Sequence, residues 1–317
     1  MKKTCVFASV LCIMLCGCSK NDSPAGNSAK TALNISSASL NLFMTRGTDA
    51  EDLKTEGAAI GLFCNAITGY EARNNVKYVY SGSGSPQWKG EAESDIIYLN
   101  DNNAQLAAYY PYESEHPLTT FTLFAQEANA AADLCYRKYN DLSSDPPLNN
   151  TSNTVSLLLS HAYAKITFKI TRDVSYSSTC KISAIKIEDG TNAGTKLIPA
   201  SVLNIEDGSY SNDAAGSVSC DITTIDAIPD VSVPGEASVF MIPVAVLDDT
   251  TIFTFTVDGN EMATTFATDE ESSLHELAAG TNYNLNVTIK GEALGITSVS
   301  VSDWNDSPIA ETLEPKI

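Results

Sequence analysis

One row of alternating side chains between residues 38 and 44 is apolar throughout, which is the period of a β-strand with one buried face. The row consists of Ala38, Leu40, Leu42 and Met44. The pattern stops at Arg46, and the following residues, GTDAED, are small and acidic. The sequence therefore predicts an amphipathic strand that ends at a single basic residue.

The rest of the chain carries β-type signals of the same kind. Short runs rich in Val, Ile, Thr and Tyr are separated by Gly, Asn, Asp, Ser and Pro. The predicted strands are 59–67, 76–80, 95–100, 104–112, 154–160, 164–171, 180–188, 238–246, 251–257, 282–290 and 296–304. Only short helical patches are predicted, at 127–137 and 272–278. Successive strands without regularly alternating helices favour an all-β fold built from sandwiches.

The chain is long enough for two domains, with 317 residues. Its longest central run of turn-forming residues is NDLSSDPPLNNTSN, at 140–153. We therefore predict an N-terminal β-sandwich at 47–153 and a C-terminal β-sandwich at 154–317.

The first 17 residues have the features of a lipoprotein signal peptide. Two lysines precede an apolar stretch at 5–15 that is too short to span a bilayer. The residues that follow, Leu-Cys-Gly-Cys, resemble the lipobox of bacterial lipoproteins. This resemblance implies removal of 1–17, acylation of Cys18 and attachment to the outer membrane through lipid. Residues 19–32 are small and polar, as expected for a flexible tether.

Charge and motifs narrow the classes of partner. The chain has 19 Lys and Arg against 39 Asp and Glu, and its net charge of −20 argues against binding nucleic acid. No spacing of Cys and His resembles a zinc site, and no motif for nucleophilic or acid–base catalysis occurs. The sequence therefore predicts no enzyme activity, no metal and no cofactor.

Four cysteines remain in the predicted domains: Cys64, Cys135, Cys180 and Cys220. After export they have two possible roles. They form disulfides, for which pairing Cys64 with Cys135 and Cys180 with Cys220 respects the two-domain division. Alternatively, they are small buried apolar side chains.

The aromatic residues leave a second function open. Trp88 and Trp304, together with 13 tyrosines, are sufficient for a carbohydrate-stacking face, although aromatic residues in strands more often belong to the core. The alternative hypothesis is an outer-membrane surface lipoprotein that binds glycans without polymerising.

Several fragments, taken in order, resemble the fimbrillin family, which comprises pilins and tip or accessory subunits of the type V pili of Bacteroidales. They are TRGTDAED (45–52), AAIGLFCNA (58–66), QLAAYYPY (105–112), LSHAYAKITFKI (159–170), VFMIPVAV (239–246), AAGTNYNLNVTIK (278–290) and ITSVSVSDWND (296–306). The resemblance implies two tandem transthyretin-like, Greek-key β-sandwich domains with few short helices. It also implies a precursor lipoprotein that ends in a cell-surface fimbrium and acts in adhesion.

The resemblance gives Arg46 a role that the residue alone does not have, since an arginine at a strand end is otherwise an ordinary surface charge. An Arg-specific surface protease is implied to cut between Arg46 and Gly47. The cut removes 18–46 as a prosegment, together with the strand that carries Leu40, Leu42 and Met44. A strand from a neighbouring pilin subunit then fills the groove that this strand leaves.

The remaining implied features concern the partners of the mature subunit. A C-terminal strand with Ile296, Val299 and Val301 is the candidate donor to a neighbour. Other partners are pilin subunits in a homo- or hetero-polymer and host or bacterial surface ligands. Whether the chain is a stalk, tip or accessory subunit stays open.

Overall fold

The structure is a computed structural model that describes residues 30–41, 50–143, 145–190, 197–228, 233–247, 250–265, 275–291, 294–302 and 304. In this part of the chain almost all regular structure is β, and the one helical segment is a 3₁₀ turn at Glu93–Asp95. The strands are β1 Thr31–Ala32, β2 Asn34–Asn41, β3 Ala50–Asp52, β4 Ala59–Cys64, β5 Arg73–Tyr80, β6 Trp88–Gly90, β7 Tyr98–Leu99, β8 Leu106–Tyr110, β9 Thr120–Phe124, β10 Gln126–Glu127, β11 Cys135–Arg137, β12 Thr154–His161, β13 Ala164–Arg172, β14 Ile182–Glu188, β15 Ala200–Asn204, β16 Ser209–Asn212, β17 Val218–Ile225, β18 Gly235–Met241, β19 Ile252–Val257, β20 Asn260–Thr264, β21 Asn282–Ile289 and β22 Leu294–Ser302. The predicted all-β fold class is confirmed.

The strands form five sheets. The largest has eight strands in the order β3-β2-β12-β11-β8-β4-β5-β6. A five-stranded sheet, β10-β18-β13-β21-β22, and a four-stranded sheet, β17-β14-β19-β20, contribute side chains to one shared core. The smaller sheets are β16-β15-β9 and β1-β7. The second half of the chain thus builds a sandwich, to which β10 of the first half adds an edge strand, and the eight-stranded sheet dominates the first half.

The eight-stranded sheet is curled, so that β2 comes close to β6. Its inner face encloses a core that includes Ile60, Leu62 and Trp88. The outer face packs against the three-stranded sheet through a second cluster that includes Phe121 and Leu203. Because β4 and β8 are covered on both faces, their sequences AIGLFC and LAAYY are almost continuously apolar instead of alternating.

The change from the eight-stranded sheet to the second sandwich falls between β12 and β13. It does not coincide with the boundary predicted near residue 154, because β12 pairs with β2 and with β11. The loop at 140–153 belongs to the first half, where Leu148 is buried in the core of the eight-stranded sheet. The division into two domains itself stays a prediction.

The helical patch predicted at 127–137 is wrong. This segment contains the end of β10, a turn and β11, which lies between β8 and β12. Alanine-rich sequence favours a helix locally, but sheet pairing on both sides of β11 outweighs that small preference. In the second predicted patch, the described residues 275–278 contain no helix.

Gly61 of β4 lies directly against the side chain of Tyr109 on the neighbouring strand β8. A Cβ atom at this position would overlap the ring of Tyr109. That ring has little freedom to move. Its hydroxyl donates to Asn75 Oδ1 at 2.6 Å, and the ring itself packs beside Phe121, with 4.8 Å between the two ring centroids. We expect Gly61→Ala to lower the free energy of unfolding by about 1–3 kcal/mol, the usual range for overpacking.

The matched control is Gly295→Ala in β22, where a Cβ atom meets no heavy atom within 4 Å. Its effect should stay within about 0.5 kcal/mol. Chemical denaturation of both variants beside the unsubstituted chain measures the two values. Equal effects would show that Tyr109 yields to the added methyl group.

Candidate functional site

The first long strand, β2, is inserted between two other strands of the eight-stranded sheet. It runs parallel to β12, from Asn34 opposite Thr154 to Asn41 opposite Ser160. On its other side it runs antiparallel to β3, and the amide of Leu53 donates to Ala38 O at 2.9 Å. Without β2, both neighbours would have unpaired backbone groups facing a slot one strand wide.

The side chains of this segment close the inner core. Leu33, Ile35 and Ala38 are 4%, 1% and 2% exposed, and half-buried Leu40 packs against the same core. Odd positions point inward at the start of the segment, and even positions point inward after Ser36. The change occurs because the register with β12 shifts at Ser36, which acts as a one-residue bulge.

The outer face of β2 makes small polar contacts instead. Ser36 Oγ donates to Val155 O at 3.1 Å, and Ser37 Oγ lies 2.7 Å from Ser156 Oγ. Asn34 Nδ2 donates to Thr154 Oγ1 at 3.1 Å. These bonds lie at the surface, where water replaces them readily, so apolar burial and backbone pairing provide most of the attachment.

The segment ahead of β2 is also part of the fold. Thr31 and Ala32 form β1 and pair with Leu99 and Tyr98, and the amide of Leu33 donates to Ile97 O at 2.8 Å. The predicted flexible tether at 19–32 is therefore wrong for its last two residues. Pairing in β1 and β2 extends the attached segment over 31–41.

Several predicted site residues lie outside the described part of the chain: Cys18, Leu42, Met44, Arg46 and Gly47. The sequence has three other arginines, and each of their guanidinium groups donates to a backbone carbonyl. Arg73 Nη2 donates to Ser94 O at 2.6 Å, Arg137 Nη1 to Leu106 O at 3.0 Å and Arg172 Nη1 to Ser178 O at 2.8 Å. All three stand in paired strands, which a protease must unfold before it can bind them.

The predicted donor residues stand in a strand that is already paired. Throughout its length β22 is antiparallel to β21, where it forms one edge of the five-stranded sheet. Ile296 is buried in the core of the second sandwich and Val299 packs against it, while Val301 is 57% exposed. Donating this strand to a neighbour would remove it from the chain's own sheet.

A polar cluster that sequence patterns did not reveal joins the end of β12 to the start of β11. His161 Nδ1 lies 2.9 Å from Asp133 Oδ1 and 3.1 Å from Cys135 Sγ. Cys135 and His161 are directly opposite each other in the antiparallel pair β11–β12, and both are buried. Burial is the main cause that raises the pKa of the Cys135 thiol, and the Asp133 carboxylate raises it further.

Trp304 attaches the end of β22 to this cluster. Its indole Nε1 donates to Asp133 Oδ2 at 2.9 Å, and its ring stacks on His161 with centroids 4.2 Å apart. Phe240 stacks on the indole with centroids 5.7 Å apart. The last described residue of the chain is thereby fixed against both halves of the molecule.

The cluster does not have the geometry of a catalytic relay. In such a relay the base uses one ring nitrogen for the nucleophile and the other for the orienting carboxylate. Here Cys135 and Asp133 both face Nδ1, and the buried Nε2 of His161 has no hydrogen-bond partner. The other histidines lie apart from it: His116 stacks on Phe121, and exposed His275 stands ahead of β21.

Both tryptophans are buried, which makes the predicted aromatic glycan face wrong for these two residues. Trp88 is 2% exposed in the inner core, beside Tyr80, and Trp304 is 5% exposed. Neither indole is open to a sugar ring.

The four cysteines are buried free thiols. Cys64 and Cys135 pair with Leu106 and Tyr110 of β8, which places them about 13 Å apart along that strand. A disulfide needs Cα atoms within about 7 Å, so this bond does not form.

The other predicted disulfide fails for the same reason. Cys220 pairs with Ile185, five residues beyond Cys180 along the chain. The role as small buried side chains therefore describes all four cysteines, with Cys135 also part of the polar cluster.

The profile of the fimbrillin-like family matches residues 45–304. A search among curated proteins finds no match. No helix within the described residues is long and apolar enough to cross a membrane.

Three solved structures illustrate the shared fold. One is described as a candidate cell adhesion protein from Bacteroides uniformis, with a TM-score of 0.62, 20% identity and coverage of 87% of this chain and 99% of that one. A second candidate cell adhesion protein, from Bacteroides ovatus, has a TM-score of 0.60, 15% identity and coverage of 88% and 99%. A fimbrial protein from Bacteroides vulgatus has a TM-score of 0.50, 14% identity and coverage of 87% and 100%.

The contribution of β2 to stability can be measured in the uncut chain. Ile35→Ala removes a buried side chain that no neighbour can replace, so we expect a loss of about 2–4 kcal/mol in the free energy of unfolding. Leu158→Ala on the adjacent strand is the control, because Leu158 is 47% exposed. Denaturant titration should separate the two variants by more than about 1 kcal/mol. Equal losses would contradict a closing role for β2.

Proposed function

Because this chain belongs to the fimbrillin-like family, we propose that it is a structural subunit of a cell-surface pilus that acts in adhesion. It is exported as a lipoprotein carried on Cys18 and assembles after proteolysis, by exchange of its first long strand, β2. The observation that supports strand exchange best is the position of β2, which lies inside a sheet and closes a core, yet precedes every other strand except the two-residue β1 in sequence.

The proposed cut falls in the connection between the two strands that pair here. Residues 42–49 join β2 to β3, and Arg46 and Gly47 lie within that connection. Cutting there leaves β2 held by hydrogen bonds and apolar contacts alone. The lipid on Cys18 leaves with the strand, so a single cleavage both opens the slot and releases the subunit from the membrane.

The empty slot would favour binding another strand. Departure of β2 exposes Leu33, Ile35 and Ala38 to water, and it also exposes the core residues that they covered. Burial of one large aliphatic side chain contributes about 1.5–3 kcal/mol. Backbone groups of β12 and β3 also lose their hydrogen-bond partners. An added strand restores both the apolar burial and the backbone hydrogen bonds.

The structure supports an acceptor role more directly than a donor role. The slot has two backbone walls, β12 and β3, and an apolar floor. In contrast, β22 completes the second sandwich of its own chain. We therefore propose that the subunit accepts a strand in the slot of β2, and that Ile296, Val299 and Val301 stay in place.

A protease experiment tests the cut. Limited digestion of the purified chain with an Arg-specific protease should give one large product that begins at Gly47, because the other arginines lie in paired strands with bonded guanidinium groups. Arg46→Ala should resist digestion, and Arg73→Ala, the matched control, should be cut like the unsubstituted chain. First cleavage at Arg73, Arg137 or Arg172 would contradict the proposed trigger.

A second experiment tests the exchange. The cut chain, freed of its prosegment, should oligomerise in size-exclusion chromatography, while the uncut chain stays monomeric. A synthetic peptide of residues 30–41 should suppress oligomers by filling the slot. The same peptide with Ile35→Asp should not, because the slot floor is apolar. A cut chain that stays monomeric and binds neither peptide would contradict the exchange hypothesis.

A further inference from the structure

The Asp133–Cys135–His161 cluster has a property that its structural role does not require. One ligand atom of each side chain lies within 4.8 Å of the other two. The separations are 2.9 Å from His161 Nδ1 to Asp133 Oδ1, 3.1 Å from Nδ1 to Cys135 Sγ and 3.9 Å from Sγ to Oδ1. Zinc–ligand bonds of about 2.0–2.3 Å place tetrahedral ligand atoms about 3.3–3.6 Å apart, so the three atoms lie near the corners of one face of such a tetrahedron.

Hydrogen bonding alone leaves this arrangement incomplete. A ring nitrogen carries either one proton or one lone pair. If Nδ1 donates to Asp133, the Cys135 thiol can donate to the backbone oxygen of Asp133 at 3.7 Å or to Oδ1 at 3.9 Å, and the 3.1 Å approach of Sγ to Nδ1 has no hydrogen bond of its own. If Nδ1 accepts from the thiol, its lone pair belongs to that bond and the Asp133 oxygen 2.9 Å away faces no proton. A cation among the three atoms satisfies all of them together.

We propose that Asp133, Cys135 and His161 bind a divalent transition metal ion, with Zn²⁺ the best match to this set of carboxylate, thiolate and imidazole ligands. Binding replaces the proton on the Cys135 sulfur, which is released to solvent, and forms three bonds to the metal. Mixed sulfur, nitrogen and oxygen donors of this type suit Zn²⁺ better than Ca²⁺ or Mg²⁺, which prefer oxygen alone.

The surroundings favour a cation and leave room for a fourth ligand. Asp133 and His161 line a cavity of about 560 Å³. Its charged lining comprises the acidic residues Glu127, Asp133 and Glu236 against the single lysine Lys165. Water from this cavity can complete the tetrahedron, as it does in zinc sites with three protein ligands.

Neighbouring groups already orient two of the three ligands. The Trp304 indole donates to Asp133 Oδ2, which leaves Oδ1 directed at His161, and the same indole stacks on the imidazole ring. Such outer contacts typically change metal affinity by about 10- to 100-fold. The metal would therefore connect β11 and β12, and Trp304, two residues beyond β22, would brace both ligands that it contacts.

Cobalt spectroscopy tests the site in the whole chain. After treatment with a chelator, Co²⁺ should bind one equivalent and produce a thiolate-to-cobalt charge-transfer band and tetrahedral visible bands, both displaced by Zn²⁺. Cys135→Ala should abolish the charge-transfer band, and Trp304→Phe should weaken binding about 10- to 100-fold. The matched control is Cys64→Ala, another buried free thiol, which should leave the bands unchanged.

Absence of the bands in the unsubstituted chain, or their survival in Cys135→Ala, would overturn the proposal. Because a core substitution risks misfolding, circular dichroism must show the same fold in each variant. An independent readout needs no variant: crystals grown with Zn²⁺ should show an anomalous peak at the zinc edge between Sγ, Nδ1 and Oδ1. Anomalous density elsewhere, or none, would also reject the site.

Discussion

The pairing of β2 with two neighbours at once is the constraint on which the first half of the molecule depends. An eight-stranded sheet that curls until β2 approaches β6 has no independent way to cover its inner core near that seam. The side chains that cover it are Leu33, Ile35 and Ala38. Their segment is joined covalently to the rest of the sheet only through residues 42–49. Stability of the sheet and the possibility of exchange therefore come from the same few contacts.

The bulge at Ser36 decides which chemistry the slot presents. With a regular register, Leu33 and Ile35 would share a face with residue 37 and leave Ala38 and Leu40 on the outer surface. The extra residue at the bulge changes the inward positions from odd to even numbers. It thereby keeps Leu33 and Ile35, and also Ala38 and Leu40, on the core side. In the proposed exchange, a strand that fills the slot equally well must match this pattern of inward positions, so backbone pairing would supply affinity and the phase change would supply selectivity.

Much of the fold was predictable from sequence, and the misses have a common cause. Strands such as β5, β13 and β21 were predicted because their alternation or apolar runs reflect local burial. Strand β11, in contrast, is only three residues long and follows an alanine-rich turn, so the local sequence does not predict that it is a strand. The start of β2 was missed because the bulge breaks its alternation, and Leu33 and Ile35 stand among Asn and Ser residues.

The polar cluster was beyond sequence reasoning for the same reason. Asp133 and Cys135 are two residues apart, but His161 is reached only because β11 and β12 are antiparallel partners. Trp304 is farther still along the chain, and its burial came from a tertiary contact that composition does not encode. Non-local pairing, more than local propensity, determines where these four side chains meet.

The cluster and the slot share strand β12, so the contacts of the cluster bear on the strand exchange proposed for the slot. Strand β12 forms a wall of the slot through Thr154–Ser160 and ends at His161 in the cluster. Leu40 lines the cavity beside that cluster, so departure of β2 would open the cavity as well as the slot. A wall that lost β2 would need another anchor to keep its register for an incoming strand. His161 supplies it, because Asp133, Cys135 and Trp304 hold the end of β12 through contacts that do not involve β2.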